Sequence, residues 1–313
     1  MHKNQLPEVL EDEMLKYIRQ CREALDVLCQ LKKQQKNQPA PGWKKLILTT
    51  RPHTGVFAFL LTLVGFKFVD EIGWAAIVIG CAFALATVSI MLFNDLIDRE
   101  HDVKKGKLLA AQSPFHLFNL WWNITRFGLR LLLTILLFVS AETSVFVGVV
   151  WILGLWYSLN RQLVFPWNNL LVARCSIAPL FAGCVYAGTV SALSAIIGWI
   201  IFWIIFSNEI AKDAQDATID QGYKVTLATK NKPRFAFFIA ALMQYPALAA
   251  LAVAHAIGIV PLGSLVLLGL CSAAFTFYAG VFSARAFDGR NISRTVEICT
   301  GVFLAFFLTI LLI

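Results

Sequence analysis

Nine stretches of this 313-residue chain are too long and too apolar to face water: approximately 50–69, 74–93, 117–139, 143–160, 168–189, 192–208, 235–257, 261–282 and 295–313. A bilayer is crossed by about 20 residues of helix. In lipid every backbone N–H and C=O must be satisfied internally, which leaves helices or closed barrels, and runs of this length are helical. The composition agrees: 58% of residues are hydrophobic and 15% charged, against roughly 25% charged in an ordinary soluble domain. The expected fold is all-α, a polytopic membrane protein in which a bundle of nine transmembrane helices surrounds a central cavity. A collagen-like, disordered or disulfide-rich secreted chain is excluded. The seven cysteines, at 21, 29, 81, 175, 184, 271 and 299, show no metal-ligand spacing, and those in apolar runs act as small hydrophobes.

Charge marks the topology. The links near 70–73, 140–142, 190–191 and 258–260 are short and free of Lys and Arg, whereas those near 94–116, 161–167, 209–234 and 283–294 carry nearly all the loop charge. The positive-inside rule therefore puts the N-terminus and the long loops in the cytoplasm, opens the cavity to that side, and leaves Ile313 on the other. The net charge of +8 reports this orientation and implies no nucleic-acid partner. Localisation is read as an integral, multi-pass membrane protein, with a bacterial inner membrane as the expected site.

Residues 1–45 form a separate unit ahead of the 46–313 membrane domain. They hold nine Lys/Arg and six Asp/Glu, with neither the apolar core of a signal peptide nor the acid-poor composition of a transit peptide. Leu10, Met14, Tyr17, Cys21, Leu25 and Leu28 recur every three or four residues, one stripe of an amphipathic helix. It rests on the membrane surface or on the protein, or binds a regulatory partner. Gln38-Pro39-Ala40-Pro41-Gly42 then breaks it.

The acidic residues carry the chemistry. Of ten Asp, six fall in two loops: Asp95, Asp98 and Asp102, and Asp213, Asp216 and Asp220. Both sets read D-x2-D-x3-D and follow directly on an apolar span. Spacings of three and four put three carboxylates on one helical face, where they repel unless a cation sits among them. Carboxylates plus an amide oxygen suit a hard ion such as Mg2+, which is usually held by one or two carboxylates together with substrate phosphates. Two such sets suggest a diphosphate clamped between them, with Arg161, Lys104, Lys105, Lys107, Lys212 and Lys224 available to neutralise it. A diphosphate at the mouth of an apolar bundle implies a lipid tail inside, hence a polyprenyl diphosphate donor. Ionisation of its allylic C–O bond gives a carbocation, sheltered by a water-poor pocket and stabilised by aromatic faces.

These residues resemble the UbiA superfamily of intramembrane prenyltransferases over roughly 46–313. Asn94-Asp95-x2-Asp98-x3-Asp102 is similar to the family's first motif, and Asp213-x2-Asp216-x3-Asp220 to its second. Arg51-Pro52-His53-Thr54 is similar to the Arg-Pro segment entering span one, in particular the RPHT of homogentisate-type enzymes. Tyr157-Ser158 resembles the Tyr-Ser ending span four, and Gly222-Tyr223-Lys224-Val225-Thr226-Leu227 the tail of the second motif. Asn160-Arg161 stands where the family often has Pro-Pro.

The resemblance implies a Mg2+-dependent prenyltransferase acting between a polyprenyl diphosphate and an acceptor, most commonly an aromatic ring. It implies Asn94, Asp95, Asp98, Asp102, Asp213, Asp216 and Asp220 as metal ligands, with Asp95, Asp98, Asp216 and Asp220 central to catalysis. Arg51, Tyr157, Arg161, Arg174 and Lys224 would bind the diphosphate, and His53 would orient an acceptor hydroxyl or only pack at the helix entry. Arg174 serves the site or snorkels to the interface; Arg126 is expected to snorkel. A glycerol phosphate or sugar phosphate acceptor, or a terpene cyclase that captures its own cation, would use the same machinery. A cation-coupled transporter is a distant alternative, since such sites lie near the bilayer midplane in broken helices. Oligomeric state is not readable from these residues.

Overall fold

A computed structural model describes residues 51–69, 72–99, 101, 115–160, 163–264, 266–267, 269–270 and 272–273. The expected N-terminal helix, Asp102, Arg161, the lysines of the 104–107 stretch, the ninth apolar run and most of the eighth lie outside the described residues. Within them the chain is helical throughout, with no strand.

The helices in chain order are α1 (Pro52–Lys67), α2 (Trp74–Ile97), α3 (Phe115–Val139), α4 (Ala141–Leu159), α5 (Trp167–Ile177), α6 (Ala182–Ala187), α7 (Ala192–Asp220), α8 (Leu227–Lys230), α9 (Pro233–Leu242) and α10 (Tyr245–Ala256), with a 3-10 turn at Ala178–Phe181 between α5 and α6. Six stretches among the described residues are long and apolar enough to cross a membrane: Trp74–Ile97, Asn119–Val139, Ala141–Leu159, Trp167–Ala187, Ala192–Asp220 and Pro233–Ala256. α1 has 16 residues, about 24 Å at 1.5 Å per residue, short of the ~30 Å hydrocarbon core.

Capping explains the tight corners. Between α3 and α4 only Ser140 intervenes, and its hydroxyl accepts from the Thr143 N–H at 3.2 Å. Gly188 ends α6 at φ 65°, the left-handed conformation that glycine reaches without strain. Two apolar runs expected as single helices are interrupted. Pro179 has no N–H to continue α5, and the chain tightens into the 3-10 turn. Pro246 lies in the first turn of α10 and ends α9 at Leu242 in the same way.

Two centres organise the packing. α2 packs on α1, α3 and α4; α7 packs on α5, α8, α9 and α10. Residues 178–182 join them: Ala178 and Ala182 belong to the core around α2, while Leu180 belongs to the core of α1, α7 and α10. α3 lies outermost. Leu129 and Leu136 are fully buried, while Leu120, Ile124, Phe127, Leu131, Ile135 and Phe138 are exposed at helical spacing. An exposed apolar stripe of this length fits lipid contact, where a soluble protein would carry polar residues.

Candidate active site

The two acidic sets lie at helix ends. α7 has 29 residues, about 44 Å, so its last turns reach past a ~30 Å apolar core. Those turns carry Asp213, Asp216 and Asp220 on one face, as their spacing requires. An adjoining stripe of buried Ala211, Ala214 and Ala217 anchors these turns to the core. The first set departs from its expectation of one continuous helical face. α2 stops at Ile97, and Asp98 is its C-cap, with its N–H still bonded to the Asn94 carbonyl at 2.8 Å.

Contacts across the loops bring the sets together. The Arg51 guanidinium donates to Asp95 at 2.6 Å, and Asp95 is 3% exposed. Arg51 holds this position in a left-handed backbone conformation, φ 46° and ψ 58°, while its carbonyl accepts from the Thr54 N–H and hydroxyl. A non-glycine residue in this region costs roughly 1–2 kcal/mol. It persists where the surroundings over-determine it, which is common at functional sites. His101, inside the first motif, meets Asp220 of the second at 2.5 Å. Tyr223, just past the second motif, donates to Asp98 of the first at 3.0 Å. The rings of His101 and Tyr223 stack, with centroids 3.8 Å apart and planes at 15°. Lys224 Nζ lies 3.8 Å from the other oxygen of Asp98. Each acidic set is thus clasped by a residue from the other loop.

Local structure fixes the clasp. Asp220 ends α7, and its carbonyl accepts from the N–H groups of Tyr223 and Lys224, with Gly222 turning the chain at φ 81°. Thr226 then caps α8 in a reciprocal box with Thr229. The Phe165 N–H donates to the Val225 carbonyl, tying the approach to α5 to the same loop. Tyr223→Phe keeps the ring stack and removes the hydrogen bond to Asp98. The expected loss is about 1 kcal/mol for this half-exposed hydroxyl, read as a lower thermal midpoint of the full chain in detergent. A variant as stable as wild type would show that this bond does not hold the loops.

Asn94, Asp98, Tyr157, Asn160, Asn168 and Lys224 line a common pocket of about 20 Å³, room for a single water. A larger ligand enters only if side chains here move. A wider hollow of about 600 Å³, lined by Leu262, Gly263, Val266, Leu267 and Leu270, is apolar and has no acidic lining. Asn169 donates to Asp213 at 2.9 Å. Asn168 and Asn169 are both buried, each with its side-chain oxygen unpartnered, a cost of about 1–3 kcal/mol apiece. Arg99, next to Asp98, is buried as well, and burial holds its guanidinium below its ordinary value; it stays a cation.

Arg174 is exposed in the last turn of α5, one and a half turns beyond Asn168. His53 is exposed in the first turn of α1. Lys212 pairs with Glu209 at 2.7 Å, one turn back on its own helix. Arg126 lies over the Trp122 ring and bonds Asn123, both on α3. The cysteines among the described residues, Cys81, Cys175 and Cys184, are free thiols.

His101, Tyr223, Asn160, Asn168 and Asn169 were not assigned roles from sequence. His101 lies within a recognised motif, and adjacent asparagines opening an apolar span are themselves a signal. The partners were invisible because they are distant in the chain, 119 residues from His101 to Asp220, 125 from Tyr223 to Asp98 and 44 from Asn169 to Asp213.

The sequence matches the UbiA prenyltransferase family over residues 55–310, a stretch that takes in both acidic sets. The chain belongs to the UbiA prenyltransferase family. It is accordingly a prenyltransferase built of membrane helices. Three solved structures share its fold. One comes from work on digeranylgeranylglyceryl phosphate synthase in membranes (TM-score 0.62, 14% identity, covering 86% of this chain and 98% of that one). Another is a UbiA homologue from Archaeoglobus fulgidus bound to GPP and Mg2+ (0.58, 17%, 86% and 99%). A third is a UbiA homologue from Aeropyrum pernix K1 without ligand (0.59, 14%, 81% and 97%). No curated protein matches it.

Proposed function

We propose that this UbiA-family enzyme transfers a prenyl group from an allylic polyprenyl diphosphate to an aromatic acceptor, with Mg2+ as cofactor. The observation that carries the reading is the meeting of the two acidic sets at one place: His101 on Asp220, Tyr223 and Lys224 on Asp98, and a pocket that joins Asn94 and Asp98 to Tyr157 and Lys224. The donors are carboxylate and amide oxygens, the set a hard cation takes. Mg2+ is usually shared between protein carboxylates and a substrate's phosphate oxygens. The Archaeoglobus homologue was solved with GPP and Mg2+, the same chemical pair. Asn94, Asp95, Asp98, Asp102, Asp213, Asp216 and Asp220 would hold the metal. Bound there, Mg2+ supplies the positive charge that makes the diphosphate a better leaving group.

The chain's own cations do the rest. Arg51 and Lys224, resting on Asp95 and Asp98, bind diphosphate oxygens once those carboxylates are engaged elsewhere. Tyr157 donates to the same group from the pocket wall, and Arg161 and Arg174 add positive charge nearby. The allylic C–O bond breaks and its electron pair leaves with the diphosphate. A ring carbon of the acceptor attacks the cation, and the ring then gives up its proton. His53 orients an acceptor hydroxyl at the entrance. The acidic loops face the cytoplasm, nine spans complete the bundle, and the enzyme sits in a bacterial inner membrane. A glycerol phosphate acceptor is the second reading, favoured by the fold shared with the digeranylgeranylglyceryl phosphate synthase work.

The test incubates purified enzyme with allylic diphosphates of graded chain length, Mg2+ and pooled acceptors, and reads the lipid extract by mass spectrometry. An alkylated aromatic product is expected, and EDTA is expected to abolish it. Full turnover in EDTA would refute the metal role, and cyclic hydrocarbon formed without any acceptor would select a cyclase.

A further inference from the structure

The asparagine pair that opens α5 is left unused by this mechanism, yet it stands against both acidic sets. Asn168 is 8% exposed and lines the pocket beside Asn94, Asp98 and Lys224. Asn169 is 3% exposed and donates its Nδ2 to Asp213 at 2.9 Å. Successive residues on a helix point about 100° apart, so one amide faces the first set and its neighbour the second. Both Oδ1 atoms are buried without a hydrogen-bond partner. Buried acceptors are ordinarily satisfied, and an exception needs a cause.

The cause lies in the surroundings. A structural asparagine would turn its carbonyl to a donor; Asn94, Tyr157, Ser158, Asn160 and Lys224 line the same pocket as Asp98, yet the Asn168 oxygen bonds none of them. An amide oxygen left open beside the Asn94 amide and the Asp98 carboxylate stands where a cation ligand would. Amide oxygens are hard ligands, of the kind that joins carboxylates around Mg2+.

We propose that Asn168 is a further oxygen ligand of the divalent cation at the first acidic set, and that Asn169 is a positioning residue that aims Asp213 at the second. The inference rests on the metal-dependent reading above. It makes opposite demands of two adjacent residues. Asp at 168 keeps the oxygen and adds charge, so the metal is retained. Asp at 169 loses the amide donor and sets a second carboxylate against Asp213, so that side chain swings away.

The experiment titrates the full chain in detergent with Mn2+ in the presence of inorganic diphosphate and reads unbound Mn2+ by electron paramagnetic resonance, with no turnover involved. Asn168→Ala and Asn169→Asp are each expected to weaken Mn2+ binding about tenfold, the scale of disturbed metal shells. Asn168→Asp is expected to bind at least as tightly as wild type. Wild-type affinity in Asn168→Ala, or weakened binding in Asn168→Asp, overturns the assignment of Asn168. Wild-type affinity in Asn169→Asp overturns that of Asn169. Should Asn168→Ala fail to fold, the isosteric Asn168→Asp decides alone. A wild-type protein that binds no Mn2+ sinks the metal reading and this inference with it, whereas tight wild-type binding matched by every variant sinks this inference only.

Discussion

Asp216→Ala is expected to give a folded protein with less than about a thousandth of wild-type turnover. A metal-held carboxylate stabilises developing charge by several kcal/mol, and each 1.36 kcal/mol is tenfold in rate. Asp216 sits between Asp213 and Asp220 on α7 and is half-buried. The packing of that stretch is carried by Ala211, Ala214 and Ala217 on an adjoining stripe, and alanine is the strongest helix former. Removal of the carboxylate therefore spares the fold. Asp95→Ala is a less clean experiment with the same expected outcome, because it leaves the Arg51 guanidinium, strained backbone included, without its 2.6 Å partner. Turnover of Asp216→Ala within tenfold of wild type, in a protein of unchanged thermal midpoint, would remove the second acidic set from the chemistry.

Gly65→Ala is expected to be the most damaging single methyl in the bundle. A Cβ at Gly65 would lie 2.0 Å from the carbonyl oxygen of Leu180, and one at Gly183 would lie 2.6 Å from the carbonyl oxygen of Gly65. Both obstacles are backbone, so neither can rotate aside. The contact joins α1 to the 3-10 turn that Pro179 imposes, the segment shared by the two cores. Membrane helices approach closely through small residues, since lipid gives no hydrophobic drive for association. Overpacking costs about 1–3 kcal/mol and more where nothing can yield. The prediction is checked by thermal unfolding in detergent, where Gly65→Ala and Gly183→Ala should each lower the midpoint. Gly148→Ala, with nothing within 4 Å of its Cβ, should leave it in place. Equal midpoints for all three would mean that α1 does not bear on residues 180–183 as described.

The class of fold was written in the sequence because hydrophobic length is a local property. A run of twenty apolar residues declares a span whatever its neighbours do, and the acidic spacing on α7 declares a shared face wherever that helix is placed. The motifs of both sets, with the family likeness they carry, were legible for the same reason. Pro179 and Pro246 are local signals too, but inside long apolar runs their hydrophobicity masked them, and the 168–189 and 235–257 runs expected as single helices are each broken there.

Tertiary structure decided who answers whom. Nothing local says that His101 reaches Asp220, that Tyr223 reaches Asp98, or that Arg51 bends into a left-handed conformation to meet Asp95. Those pairings bring the start of α1, the end of α2 and the end of α7 together, and residues far apart in the chain meet there only because the helices pack on one another. The asparagines of α5 show the same division. Their identity is sequence, whereas burying both amide oxygens against carboxylates required helices distant in the chain to close around them. Spacing fixes which groups share a face of one helix; only packing between helices fixes which faces confront each other.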